Sequence, residues 1–84
     1  MAISRGNLTG TKNGSNVAFT FPVTPVAGSE LIIFNTAALK IVDQTEWDAS
    51  SATQKLVRAL VVGTAVTLGL APESTDDLWY ECDV

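Results

Sequence analysis

The sequence predicts an all-β fold: a small antiparallel β-sandwich or jelly-roll-like barrel, with residues 51–60 also readable as one short helix. Three observations predict it. Val17, Phe19 and Phe21 alternate with Ala18 and Thr20, the period of a half-buried strand. Gly63-Thr64 separates two apolar runs by the two residues a tight hairpin takes, with glycine in the first place. The chain also echoes itself without a gap: Ala18-Phe19-Thr20-Phe21 aligns with Ala65-Val66-Thr67-Leu68, Thr24-Pro25 with Ala71-Pro72, and Glu30-Leu31-Ile32-Ile33 with Asp77-Leu78-Trp79-Tyr80. Each copy is a strand, a Pro-containing connection and a second strand opened by an acid, which suits the corners of a sandwich.

Taken in order, residues 1–12 read either as an N-terminal arm or as a first strand, and residues 13–84 as a single domain. Asn13-Gly14-Ser15 is a turn signal ahead of the Val17 to Phe21 strand. Pro22 and Pro25 end that strand, because neither can donate to a ladder. Ala27-Gly28-Ser29 turns the chain into Leu31 to Phe34, and Leu39 to Val42 is a further short strand. Asp43 to Ser51 reads as polar loop broken by Trp47. Ser51 to Leu60 carries Ala52, Leu56, Val57 and Leu60 on one helical stripe. A strand is preferred for this segment, because Val61-Val62-Gly63-Thr64 leads directly into a hairpin. Ala65 to Leu70 and Leu78 to Val84 complete the set.

In such a sandwich, alternation sends Phe19, Phe21, Leu31, Ile33, Leu78 and Tyr80 inward and Ile32, Phe34 and Trp79 outward, beside Glu30 and Glu81. The outward residues either lie beneath the 43–51 loop, with Trp47 as their cover, or form a protein contact. Cys82, two residues after Tyr80, falls on the buried face as an unpaired small core residue.

Composition narrows the chemistry. The 84 residues make one domain, 46% apolar and 17% charged, too apolar for a disordered tail. Five Lys/Arg against nine Asp/Glu give a net charge of −4, which argues against a grip on nucleic-acid phosphates. With no histidine, imidazole-based triads and His-ligated metals are excluded. A single cysteine fits folding in a reducing cytoplasm, and no apolar run is long enough for a signal segment or a membrane-spanning helix. The sequons at Asn7 and Asn13 mean little without a secretory route. Asp76 and Asp77 are adjacent and point to opposite faces of a strand, a poor arrangement for paired acid–base work. The acidic run from Glu73 to Asp77 has no standard cation-loop spacing. Ser4, Ser29 and Ser50 lack an elbow motif, and Gly10, Gly14 and Gly28 are separate turn residues. No catalytic residue, cofactor or metal is expected.

Phe19-Thr20-Phe21, followed by Thr24-Pro25-Val26-Ala27-Gly28-Ser29 and Glu30 to Asn35, resembles a pattern in small β-domains of tailed-bacteriophage virion proteins of decoration, head-fibre and tail-fibre type. Val66-Thr67-Leu68, Ala71-Pro72 and Leu78-Trp79-Tyr80 resemble its second half. In that pattern Asn-Gly closes the apolar strand, whereas here Thr36 follows Asn35, and the stretch from Leu39 to Ala59 matches nothing in it. The resemblance implies a virion structural protein made in the host cytoplasm. Its most fitting role is a capsid decoration or cement, or head-fibre-like, subunit contacting major capsid or tail proteins. A tail-fibre or adaptor component is the alternative, and a carbohydrate-binding module with Trp79 and Trp47 as platforms is the alternative of a different class. Small size favours self-association, with a trimer as the working expectation. Ile32, Phe34 and Trp79 are the candidate contact residues, with Arg5 and Lys12 on the N-terminal segment as a basic anchor.

Overall fold

The computed structural model describes residues 2–84. Seven strands run in the order β1 (Ile3–Asn7), β2 (Ala18–Thr20), β3 (Leu31–Phe34), β4 (Ala37–Val42), β5 (Arg58–Val62), β6 (Ala65–Leu68) and β7 (Leu78–Asp83). Helices α1 (Gln44–Ala49) and α2 (Ala52–Lys55) lie between β4 and β5.

The strands form one mixed sheet, β1-β7-β3-β4-β5-β6-β2, curled into a half-barrel. The expected sandwich is therefore corrected to a single sheet, and the all-antiparallel expectation fails at one pair. Strands β4 and β5 are parallel, with Lys40 opposite Arg58 and Val42 opposite Leu60. A parallel pair needs a crossover between its strands, and residues 43–57 supply it as helix.

Both helices are set by their first residues. The Asp43 carboxylate accepts from the Glu46 N–H at 2.8 Å. Ser51 and Gln54 form a reciprocal capping box, which satisfies amides that a helix start leaves open. The 43–51 segment, read from sequence as loop, is thus mostly α1. The Ser51–Leu60 segment divides into a helix, Ala52–Lys55, and a strand from Arg58, so the preferred strand reading is corrected over the helix and holds only at the segment's end.

The N-terminal segment is a strand and not a loose arm: β1 pairs antiparallel with β7, from Ile3 opposite Asp83 to Asn7 opposite Trp79. The Gly63-Thr64 hairpin forms as expected, with Val62 opposite Ala65 and Gly63 at φ 61°. Asn35-Thr36 makes a second two-residue turn without glycine. Asn35 itself takes φ 57°, a region asparagine tolerates better than most residues.

The concave side holds the core: Leu8, Phe19, Phe21, Ile32, Ala59, Val66, Leu68, Leu78, Tyr80 and Cys82. Phe21 meets Tyr80 edge to face, with ring centroids 5.4 Å apart. The Tyr80 hydroxyl finds the Ser4 hydroxyl at 2.8 Å, so its polar tip is not stranded. A smaller cluster of Val42, Trp47 and Leu60 forms on the convex side, where α1 covers β4 and β5.

Strand β3 corrects the inside–outside assignment. Ile32 pairs with Tyr80 and Phe34 with Leu78, so Ile32 and Phe34 face the core, and Ile32 is fully buried. Leu31 and Ile33 take the convex side in their place. The internal echo equates Ile33 with inward Tyr80, whereas the antiparallel ladder sets Ile32 beside Tyr80, and a change of one residue exchanges the faces.

Candidate functional site

The convex face of β1, β7 and β3 is built by alternation from the pairings above. One row across the strands is Asn7, Trp79, Ile33 and Ala38. The next is Arg5, Glu81 and Leu31, with Lys40 and Arg58 carrying the charged row on along β4 and β5. Trp79, Ile33 and Leu31 are each half-buried. The α1 helix packs on the β5 side, and among the described residues no helix covers this half of the sheet. The result is an apolar strip bordered by ions. Arg5 Nε lies 3.1 Å from Glu81 Oε2 on one side. On the other, Lys40 Nζ lies 2.6 Å from Glu46 Oε2, with Arg58 at 3.9 Å from the same oxygen.

Only part of the expected contact set gathers here. Trp79 stands outward as expected and Arg5 flanks it. Ile32 and Phe34 face the opposite side, and fully buried Ile32 has no surface to offer. Lys12 is committed elsewhere: its ammonium donates to the Asp76 carbonyl at 2.5 Å, holding the 10–17 loop against the 71–77 loop. Ile33 and Leu31 stand beside Trp79 and Glu81 on this face, which the sequence reading missed. The paired register with β7 would have found them, but an unbroken run of four apolar residues does not reveal it.

Trp47 is removed from the surface. It is buried against Val42 and Leu60, with the Lys55 ammonium 5.1 Å from its ring centre. It neither covers the Trp79 strip nor offers a flat platform to a sugar.

A second place of interest is an open cleft of about 310 Å³ lined by Gly28, Glu30, Ile41, Val42, Asp43 and Val61. Its two carboxylates are already engaged. Glu30 accepts from the Gly28 N–H at 2.7 Å, and Asp43 caps α1. Among the described residues no group of His, Cys, Asp and Glu is placed to hold a metal ion.

The acidic 71–77 loop is structural in the same way. Asp76 accepts from the Glu73 N–H at 2.9 Å and from the Asn35 side-chain amide at 3.2 Å. The Glu73 N–H first, then Asn35, hold its carboxyl below the usual carboxylate range. Asn35 in turn accepts from the Asp77 N–H at 2.9 Å, tying the β3–β4 turn to the start of β7. Cys82 is free and buried, and burial raises its thiol above the ordinary range, with Glu30 and Asp83 adding to the effect. Among the described residues no helix is long and apolar enough to cross a membrane.

Set against protein-family models, the curated proteins and the solved structures, the chain matches none of them.

Proposed function

We propose that this chain is a non-catalytic structural subunit of a tailed-bacteriophage virion, a capsid decoration or head-fibre-like protein. It docks on a major capsid or tail protein through the convex face of β1, β7 and β3. The observation that carries the docking is the strip of Trp79, Ile33 and Leu31, left open on the half of the sheet that α1 does not cover. An apolar centre with a large aromatic anchor and a charged rim is the anatomy of a protein contact. The virion setting is supported by the resemblance of the Phe19 to Asn35 and Val66 to Tyr80 segments to phage β-domains.

One observation favours a second reading. Asn7 stands directly across from Trp79 and brings an amide beside the indole, the pairing of stacking surface and hydrogen-bonding group that suits a sugar ring. Trp79 would carry that reading alone, since Trp47 is buried.

Co-sedimentation with purified particles of the phage that encodes the chain tests the first reading. Wild type should pellet with the particles and Trp79→Glu should remain in solution. Titration with host-surface glycans tests the second: saturable binding that is lost in Trp79→Ala, without particle binding, would replace docking by sugar recognition.

A further inference from the structure

The two edges of the sheet are treated differently. At β2, Leu68 N–H bonds to the Val17 carbonyl and Phe21 N–H to the Thr64 carbonyl, both at 2.9 Å, so the odd-numbered residues hold β6. Ala18 and Thr20 therefore turn their backbone groups outward, and both are closed. The Asn16 side chain brackets Ala18, accepting from its N–H at 3.1 Å and donating to its carbonyl at 2.9 Å. Thr20 exchanges two bonds with Thr9, at 2.8 and 2.9 Å. At β1 the even-numbered residues hold β7, as the bonds from Leu8 N–H to the Leu78 carbonyl and from Val84 N–H to the Ala2 carbonyl show. Ile3, Arg5 and Asn7 turn outward, and of that series only Thr9 is paired.

We infer that the free edge of β1 takes the β1 strand of a second copy of this chain, antiparallel across a twofold axis at Arg5. What an open ladder accepts is another extended strand, and three features favour a second copy. The exposed rungs are self-complementary: a twofold at Arg5 sets Ile3 against the partner's Asn7, Arg5 against the partner's Arg5, and Asn7 against the partner's Ile3, and uses every free N–H and C=O. The charges fit, because each Arg5 already carries Glu81 beside it, so the row across the boundary reads acid, base, base, acid. The side chains fit, because Ile3, 60% exposed, comes beside the partner's Asn7 and carries the Trp79 strip onward. β1 holds no proline, and its one charge is matched by Glu81. Such a contact is isologous and closes at two copies instead of the expected three. It does not depend on what the convex face binds, so the isolated chain tests it separately from particle docking.

Sedimentation of the wild-type chain should show a species of twice the 8.9 kDa chain mass. Amide exchange at Ile3, Arg5 and Asn7 should slow by about tenfold or more between micromolar and millimolar protein, while Ser4 and Gly6 stay protected at both. Arg5→Pro removes an outward N–H without touching the ladder to β7 and should give a folded monomer. Glu81→Gln should weaken pairing by leaving the two arginines unmatched. Fast, concentration-independent exchange at Ile3, Arg5 and Asn7 in the wild-type chain would overturn the inference without recourse to any variant. A dimer that persists in folded Arg5→Pro would overturn it equally.

Discussion

Trp79 lies directly across the β3–β7 ladder from Ile33, both half-buried on a face that no helix among the described residues covers. Neither side chain belongs to the buried core, so their loss should affect binding more than folding. Trp79→Glu should keep the wild-type unfolding midpoint to within about 1 kcal/mol, as surface changes usually do, while costing about 2 kcal/mol or more of particle affinity if Trp79 is the central anchor. Denaturant unfolding alongside quantitative co-sedimentation separates the two effects.

Trp47 should behave in the opposite way. It joins α1 to Val42 and Leu60, and Trp47→Ala should destabilise by about 3–5 kcal/mol, as truncation of a large buried aromatic does. Particle affinity per folded molecule should be unchanged. Gly69 offers a matching probe, since a β-carbon there would collide with the Lys55 backbone carbonyl. Gly69→Ala should loosen α2 from the end of β6, seen as faster amide exchange across residues 52–57.

Cys82 should resist thiol reagents in the native state and react at once in denaturant, as its burial requires. Its raised thiol pKa makes its contribution to stability complete below the ordinary thiol range. That contribution is lost as pH rises through the folded value, because the unfolded chain releases the proton more readily. Cys82→Ala should cost about 1–2 kcal/mol from lost packing and should remove this part of the alkaline loss of stability.

The Asn35 corner gives an acid-side prediction. Asp76 has a lowered pKa, so what it contributes is present above the ordinary carboxylate value and lost as pH falls through the folded one. NMR titration should show Asp76 protonating below the ordinary carboxylate range, and Asn35→Ala should move it upward. Asn35→Ala should also cost about 1–2 kcal/mol, because alanine keeps a β-carbon at positive φ and loses the side-chain bonds that make asparagine tolerable there. Asn35→Gly should relieve the strain while still losing the bonds to Asp76 and Asp77.

The strands were largely legible because turn chemistry and alternation agree with the final pairing around Val17–Phe21 and Gly63-Thr64. The face of β3 was not legible: Leu31-Ile32-Ile33-Phe34 has no alternation, and only the pairing of Ile32 with Tyr80 decides which residues turn inward. The parallel β4–β5 pair was hidden because the crossover reads as loop over residues 43–51 and as a strand over residues 51–60. Signals for it were present in Asp43 with Glu46 and in Ser51 with Gln54, both with the spacing of a capped helix start. Of the convex strip, the outward placement of Trp79 and the exposure of Arg5 were legible. Ile33 and Leu31 required the register.

The central claim, that the Trp79 face meets a virion protein, is tested most directly by a photo-crosslinking amino acid placed at position 79 in assembled particles. The account predicts a covalent adduct between this chain and a major capsid or tail protein, with the same label at exposed Leu70, which follows β6 near the other edge of the sheet, giving none. Adducts absent at 79, or equally abundant at both positions, would contradict it.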